Sequence, residues 1–189
     1  MIGHCEGAID KYLELSRLRE SDLRECATPC IDDHMLAAED FETPGKLSHI
    51  GARIVLTVLY LARHNRPETF WSTNHLSRDL NKWTVASDKR LLRLMSFLHY
   101  TRDCVQFCYV GDHIKDCFLV QFCDAGFAGD LGDSRSTGGS ITYLLGPNTL
   151  VPLSWACKKK GAVSHSSTEA EIISLDAGVR CEGIPLLLL

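Results

Sequence analysis

The sequence predicts an α+β or α/β chain in two parts, mainly helical over residues 1–100 and built of antiparallel strands with one packed helix over residues 101–189. Two observations predict this division. Apolar residues recur at helical spacing in the first half, whereas short apolar runs separated by glycine-containing turns follow from Thr101. A polar stretch near residue 167 then opens a last segment with helical spacing.

The composition favours a globular, intracellular protein. The 189 residues are 45% hydrophobic and 23% charged, which is ordinary for globular domains. The formal net charge of −4 provides no protein-wide basic field, so any contact with nucleic acid must come from local basic patches. Neither a secretory signal nor a membrane-spanning segment is recognisable. We therefore expect a cytoplasmic or nuclear location, no membrane partner, and reduced thiols for the nine cysteines.

The first part is expected to hold several amphipathic helices. One is predicted over Ala8–Glu25 and is followed by a solvated acidic loop over Thr28–Gly45. Pro67 suits the first residue of a later helix, because its missing N–H is not needed there. A further helix is predicted over Ser87–Tyr100. The buried stripe of the helix before Pro67 consists of Ile50, Ile54, Val58 and Leu61.

The second part is expected to form a sheet whose successive strands are antiparallel neighbours, because short turns connect them. The predicted strands are Val105–Val110, Cys117–Cys123, Ser140–Leu145 and Leu153–Cys157, and the basic loop Lys158–Gly161 follows the last of them.

A helix over Ser167–Arg180 is expected to pack on this sheet and to stop at Pro185. Its predicted contact stripe consists of Ala170, Ile173, Ala177 and Cys181.

Asp124 is the first candidate functional residue. It follows an apolar strand and precedes small residues, which places a carboxylate at the rim of the sheet. Magnesium prefers a few carboxylates together with waters and substrate oxygens, so such an acid provides half of a hard-cation site. An isolated Asp-Ala-Gly sequence is also an ordinary turn.

Glu171 is the second candidate. Thr168 with Glu171, and Ser166 with Glu169, both fit the capping box, in which the acid accepts a hydrogen bond from the backbone of the capping residue. Spacing does not decide which acid caps the helix, and a capping or surface role stays open for either.

The cysteines give a weaker metal signal. Cys26, Cys30 and His34 are spaced one helical turn apart, as are Cys104 and Cys108. The chain lacks the paired Cys-x2-Cys motifs that identify a structural zinc site, so buried or bystander thiols are the better interpretation.

Four sequence blocks together resemble a known family. CDAGFAGD, DSRSTGG, VPLSWACKKKG and VSHSSTEAE occur in this order, and the set is similar to motifs in the polyprotein of copia-type retrotransposons, in its reverse transcriptase and ribonuclease H region. Upstream, IGARIVLTVLYLARHNRP and WTVASDKRLLRLMSFLHYTRD resemble the segment that joins polymerase to nuclease. The resemblance covers most of the chain from about residue 47.

This resemblance implies a ribonuclease H-like fold, bound Mg²⁺, and hydrolysis of the RNA strand of an RNA–DNA hybrid, with one metal ion activating water and another steadying the departing oxygen. Asp124 and Glu171 match catalytic, metal-binding acids of the family, which leaves Glu169 as the surface or capping acid. The phosphates of the hybrid would contact basic residues near the second and third blocks, namely Lys158, Lys159, Lys160 and Arg135.

The chain also departs from the family pattern. The family's metal site includes further aspartates on a later strand and helix, which the sequence as far as Leu189 does not contain. We therefore expect a C-terminally truncated fragment that binds magnesium weakly and has little or no nuclease activity alone. The alternative is a non-enzymatic interaction or scaffold protein that retains part of the fold, with a protein partner covering the open sheet edge.

Overall fold

The computed structural model describes residues 2–130 and 132–188. It divides them into two compact units, a helical unit that extends to Gln106 and a sheet unit that begins at Phe107. The described residues form helices and a three-stranded antiparallel sheet, which agrees with the predicted α+β class.

Residues 2–106, the described part of the helical unit, form five α-helices joined by loops and short 3₁₀ turns. They are α1 (Ile2–Ser16), α2 (Ala38–Glu42), α3 (Ser48–His64), α4 (Phe70–Asp79) and α5 (Val85–Tyr100).

Several helix boundaries differ from the sequence prediction. The first helix ends at Ser16 because Arg17 adopts a left-handed conformation with φ of 60°, so its predicted extension to Glu25 is wrong. The segment predicted as a loop contains α2. Pro67 begins a 3₁₀ turn that leads directly into α4, where its missing N–H leaves no intrahelical bond unmade.

The hydrophobic core lies in the helical unit. The predicted stripe of α3 is confirmed, since Ile54, Val58 and Leu61 are fully buried. They pack in one cluster with side chains of α1 and α5, including Tyr12 and Leu94. Burial of this apolar surface is the main stabilising contribution to the unit.

One carboxylate connects three segments of the helical unit. Asp88, in the first turn of α5, accepts hydrogen bonds from the backbone N–H groups of Lys46 and Leu47 at 2.7 and 3.1 Å. It also accepts one from the indole nitrogen of Trp83 at 2.6 Å. These bonds fix the chain immediately before α3 against the start of α5.

The sheet unit contains three strands followed by helical segments. They are β1 (Phe118–Gly126), β2 (Thr137–Gly146), β3 (Thr149–Lys159), α6 (Ser167–Gly178), a π-helical turn (Val179–Gly183) and α7 (Ile184–Leu187). The sheet order is β1-β2-β3 and both pairs are antiparallel. A β-bulge interrupts the register of β2 with β3 next to Thr142.

The predictions for the segment before β1 and for Pro185 are wrong. The expected strand Val105–Val110 forms only an isolated bridge between Tyr109 and Leu150. Its apolar side chains stay exposed, 76% in the case of Val110, because the segment pairs with β3 only at Tyr109. Pro185 does not stop the last helix, since it occupies the first turn of α7, where a missing N–H is tolerated.

The sheet unit buries little apolar surface. Among its described residues, Ala170 is the one hydrophobic side chain that is buried. None of the described helices of the chain is both long enough and apolar enough to cross a membrane.

Candidate functional site

Asp124 lies within β1, two residues before the end of the strand, and its main chain pairs with Gly139 of β2. The prediction placed the acid just after the strand, whereas the strand continues through it to Gly126. The carboxylate is exposed to solvent. Sheet pairing therefore fixes the backbone of Asp124 while its side chain stays accessible.

Glu171 lies in the first half of α6, whose N-terminus is capped by its neighbours. The Ser166 hydroxyl accepts a hydrogen bond from the N–H of Glu169 at 3.1 Å. The Glu169 carboxylate accepts one in turn from the N–H of His165 at 2.6 Å. Glu169 is thus the capping acid, which leaves Glu171 exposed and free of any capping bond.

Helix α6 packs on the sheet through small residues. The buried stripe consists of Ala170, Ser174 and Gly178, whereas Ile173 of the predicted stripe is 38% exposed. The sheet surface under α6 carries small side chains as well. A Cβ added to Gly178 would come within 2.6 Å of the Cys123 sulfur, so a larger residue would push the helix off the sheet.

One hydrogen bond joins the segments that carry the two candidate acids. The Ser174 hydroxyl donates to the backbone carbonyl of Asp124 at 2.7 Å. Glu171 precedes Ser174 by three residues, which is about 4.5 Å along the helix axis and about 60° around it. The structure therefore brings the helical turn of Glu171 close to the main chain of Asp124.

The side chains of the two acids leave their elements in different directions. Gln121 and Cys123 of β1 face α6, since the Gln121 amide donates to the carbonyl of Gly178 at 3.0 Å. Side chains alternate along a strand, so Asp124 belongs to the opposite face of the sheet. A cation shared by Asp124 and Glu171 would have to lie at the β1 edge of the sheet. Among the described residues, neither carboxylate has a hydrogen bond or an ion pair.

The four predicted basic residues fall into two groups. The Lys159 ammonium contacts the carboxylates of Asp130 and Asp133, the latter at 2.9 Å, and Arg135 lies 3.5 Å from Asp133. The hydrogen bond from Lys159 holds the pKa of Asp133 below its usual range. Lys159 and Arg135 are thus partnered by acids.

Lys158 and Lys160 belong to the second group. Lys158 and Lys159 lie on β3 rather than in the predicted loop, and their side chains alternate between the two faces of the sheet. Lys158 and Lys160 line a cleft between α6 and the strands β2 and β3 that encloses about 260 Å³.

Glu182 is a residue at this cleft that sequence reasoning missed. Its two carboxylate oxygens accept hydrogen bonds from the hydroxyls of Ser140 and Ser154, at 3.2 and 2.9 Å. Glu182 lies in the π-helical turn, which changes the direction of side chains relative to a continuous α-helix. Nothing in the sequence indicates a π-helical turn. Gly138 and Gly139 do indicate a strand surface that another segment or a ligand can approach closely.

The described residues do not form a complete metal-binding site. Across residues 2–130 and 132–188 there is no group of three or more histidine, cysteine, aspartate or glutamate side chains placed to hold a metal ion. The nine cysteines, all in this part of the chain, are free thiols. Asp124 and Glu171 therefore offer at most a partial set of metal ligands.

The chain is similar to several proteins of known name. It is 34% identical over 156 residues to the retrovirus-related Pol polyprotein from transposon RE2 of Arabidopsis thaliana, a match covering 75% of this chain and 10% of that protein. It is 32% identical over 123 residues to a putative transposon Ty5-1 protein of Saccharomyces cerevisiae, covering 64% of this chain and 37% of that protein. The chain thus spans only a small part of the RE2 polyprotein.

A third relative is matched over most of its length. Secreted RxLR effector protein 161 of Plasmopara viticola is 31% identical over 130 residues, which is 68% of this chain and 82% of that protein. No protein-family model matches the chain. No solved structure matches it either.

Proposed function

We propose that this chain, which belongs to the family of retrotransposon-related Pol polyprotein sequences, contains the segment that joins a copia-type polymerase to its nuclease. It would also contain part of a ribonuclease H-like unit. The relatives named as transposon proteins support the polyprotein origin. The succession of three antiparallel strands and one packed helix supports the nuclease part, because the sequence resemblance implies the same order. Such a segment would act inside the cell.

The proposed chemistry is the hydrolysis of RNA in an RNA–DNA hybrid, with Asp124 and Glu171 as ligands for Mg²⁺. The observation that carries this proposal is the hydrogen bond from the Ser174 hydroxyl to the backbone carbonyl of Asp124. It holds α6, the helix of Glu171, against β1, the strand of Asp124. Two carboxylates suit magnesium, which keeps several waters and substrate oxygens. Because no third acid joins them among the described residues, we expect this chain alone to bind magnesium weakly and to hydrolyse the hybrid little or not at all.

The proposed contact with the hybrid involves Lys158, Lys159, Lys160 and Arg135. Lys158 is exposed and has no acidic partner within the described residues, so it is the most available of the four. Lys159 and Arg135 would have to exchange Asp130 and Asp133 for phosphate, which lowers their net contribution. Binding should weaken as salt rises, because each phosphate neutralised releases counterions.

The metal site is tested with Mn²⁺ as a paramagnetic substitute for Mg²⁺. We expect Mn²⁺ in the millimolar range to broaden the NMR signals of residues around positions 124 and 171. The variants D124N and E171Q should abolish that broadening, while E169Q, which alters the capping acid, should preserve it. Broadening that is absent from both positions, or unchanged in D124N and E171Q, would contradict the proposed site.

Activity is tested separately with a labelled RNA–DNA hybrid and Mg²⁺. We expect cleavage by the purified chain to stay at the background level. Clear cleavage that disappears in D124N would support the site and overturn the expected inactivity. Cleavage that persists in both D124N and E171Q would remove these two acids from the proposal.

A second candidate function is that of a non-enzymatic interaction protein, which the exposed apolar side chains of the sheet unit favour. Phe118, Phe122 and Ile172 are 58–61% exposed, and the outer strand β1 has no strand on its free side within the described residues. A protein partner that adds a strand to β1 would cover such a surface. Hydrogen exchange that slows in β1 when a partner binds at fixed stoichiometry would support this function.

A further inference from the structure

The cleft between α6 and strands β2 and β3 has a floor without side chains. Gly138 and Gly139 form this floor. A Cβ at position 138 would come within 2.6 Å of both the Lys160 ammonium and the Ser174 hydroxyl. Both polar groups therefore lie directly above the glycine, in space that any other residue would fill.

Lys160 brings an unneutralised charge into this cleft. Its backbone is fixed by a hydrogen bond from its N–H to the carbonyl of Ser136 at 2.8 Å. Within the described residues no carboxylate lies at ion-pair distance from its ammonium, although Asp176 acts on it from farther away. Partial burial lowers the pKa of Lys160. An anion in the cleft would offset the cost of holding this charge away from water.

The adjacent lysine shows the opposite arrangement. Lys159 points to the other face of the sheet, where Asp130 and Asp133 already neutralise it. Lys158 shares the cleft with Lys160. Two cationic side chains thus line the glycine floor, while the ammonium group of Lys159, the residue between them in sequence, is paired with acids on the other face.

The rest of the cleft has a different character. Ile173 and Ala177 of α6 supply an apolar wall, and Glu182 lies at the lining with its carboxylate oriented by two serine hydroxyls. Each carboxylate oxygen can accept more than one hydrogen bond. Glu182 would repel a second anionic group but would accept a bond from a hydroxyl or amino group.

We propose that this cleft binds a small phosphomonoester, with its phosphate on Lys158 and Lys160 and its organic group against Ile173 and Ala177. A hydroxyl or amino group of that ligand donates to Glu182. The volume of about 260 Å³ is slightly below the range of about 300–1,000 Å³ for ligand pockets, which suits a ligand no larger than a sugar phosphate or a nucleoside monophosphate. The site is distinct from the proposed nuclease site, because Asp124 belongs to the other face of the sheet.

Titration calorimetry on the full chain tests the inference with ribose 5-phosphate, adenosine 5′-monophosphate, adenosine and inorganic phosphate as probes. We expect one or both phosphomonoesters to bind more tightly than adenosine and than inorganic phosphate. Removal of one charge-assisted contact in K160Q should weaken this binding about tenfold. The matched variant K159Q removes the same charge from the next residue and should change the affinity less than about twofold.

A second variant tests the cleft independently, in case K160Q does not fold. A177F fills the cleft from the helix side without touching a charge, and it should abolish phosphomonoester binding while far-UV circular dichroism stays that of the wild type. Equal losses in K159Q and K160Q, no phosphomonoester binding at all, or inorganic phosphate binding as tightly as the esters would each overturn the inference. Loss of RNA–DNA hybrid binding in K160Q with no ester binding would instead assign Lys160 to the proposed hybrid surface.

Discussion

The helical unit and the sheet unit are held together by different interactions. In the helical unit, side chains such as Ile54, Leu61 and Leu94 are fully buried in one continuous cluster. In the sheet unit, α6 meets the strands through small and polar residues, as in the hydrogen bonds of Gln121 to Gly178 and of Ser174 to Asp124. Burial of apolar surface is the larger and less directional contribution. We therefore expect the helical unit to be the more stable of the two.

This difference bears on function. Regions that bind ligands or change conformation tend to come from the less stable parts of a protein. Asp124, Glu171, Lys160 and Glu182 all belong to the sheet unit. Its exposed apolar side chains, such as Phe118 and Ile172, would stabilise the unit further once another surface covered them.

The largest expected effect comes from a cavity in the core of the helical unit. Leu94→Ala removes a fully buried side chain and should lower the free energy of unfolding of this unit by about 2–5 kcal/mol. Leu175→Ala, which alters a side chain of α6 that is 52% exposed, should cost about 0.5 kcal/mol. Denaturant titration combined with hydrogen exchange of α5 and α6 peptides measures both. Similar losses from the two variants would contradict the proposed contrast.

The fold of the helical unit was largely predictable because its signal is local. The spacing of Ile50, Ile54 and Val58 predicts a buried helix, and α3 contains all three. The prediction of a strand over Val105–Val110 was wrong because alternating apolar residues do not reveal how many of them pair with a neighbouring strand. The left-handed conformation of Arg17 could likewise not be predicted from the sequence, since arginine has no preference for that conformation.

Asp88 provides the next effect in size. Asp88→Ala would leave the N–H groups of Lys46 and Leu47 and the indole of Trp83 without their acceptor, at a cost of about 2 kcal/mol. Asp10→Ala, an exposed acid of α1, is the matched control and should change little. Faster hydrogen exchange in the first turn of α3 should accompany the loss. An unchanged melting temperature in Asp88→Ala would show that packing alone fixes the segment before α3.

The candidate site was predictable only in part. Position 124 and position 171 were identified through a resemblance, because a single Asp-Ala-Gly or capping-box pattern has ordinary structural explanations. The pairing of Lys159 with Asp130 and Asp133 depends on which face of β3 each lysine occupies, and the sequence alone predicted a loop there. Glu182 depends on a π-helical turn, which has no sequence signature of its own.

Ser174 tests the polar interface of the sheet unit. Ser174→Ala removes the hydrogen bond to the Asp124 carbonyl from a position that is 3% exposed. We expect the free energy of unfolding of this unit to fall by about 1 kcal/mol, and exchange in α6 to quicken. Thr168→Ala, at an exposed position near the helix start, should have a smaller effect. If Ser174→Ala leaves α6 unchanged, apolar contacts rather than hydrogen bonds hold this helix to the sheet.

The smallest expected effect concerns the ion pairs on the other face of the sheet. Because the hydrogen bond from Lys159 lowers the pKa of Asp133 in the folded state, this pair stabilises the sheet unit above the unfolded-state pKa of the acid. The contribution is lost as the pH falls through the lowered folded-state pKa. Lys159→Gln should therefore lower the melting temperature of this unit at pH 7 by about two degrees and flatten its decline in acid. Melting curves of both proteins between neutral and acidic pH provide the measurement. If the melting temperature of Lys159→Gln falls equally steeply in acid, other carboxylates cause the decline. The ion pairs of Lys159 would then contribute little to the stability of the sheet unit.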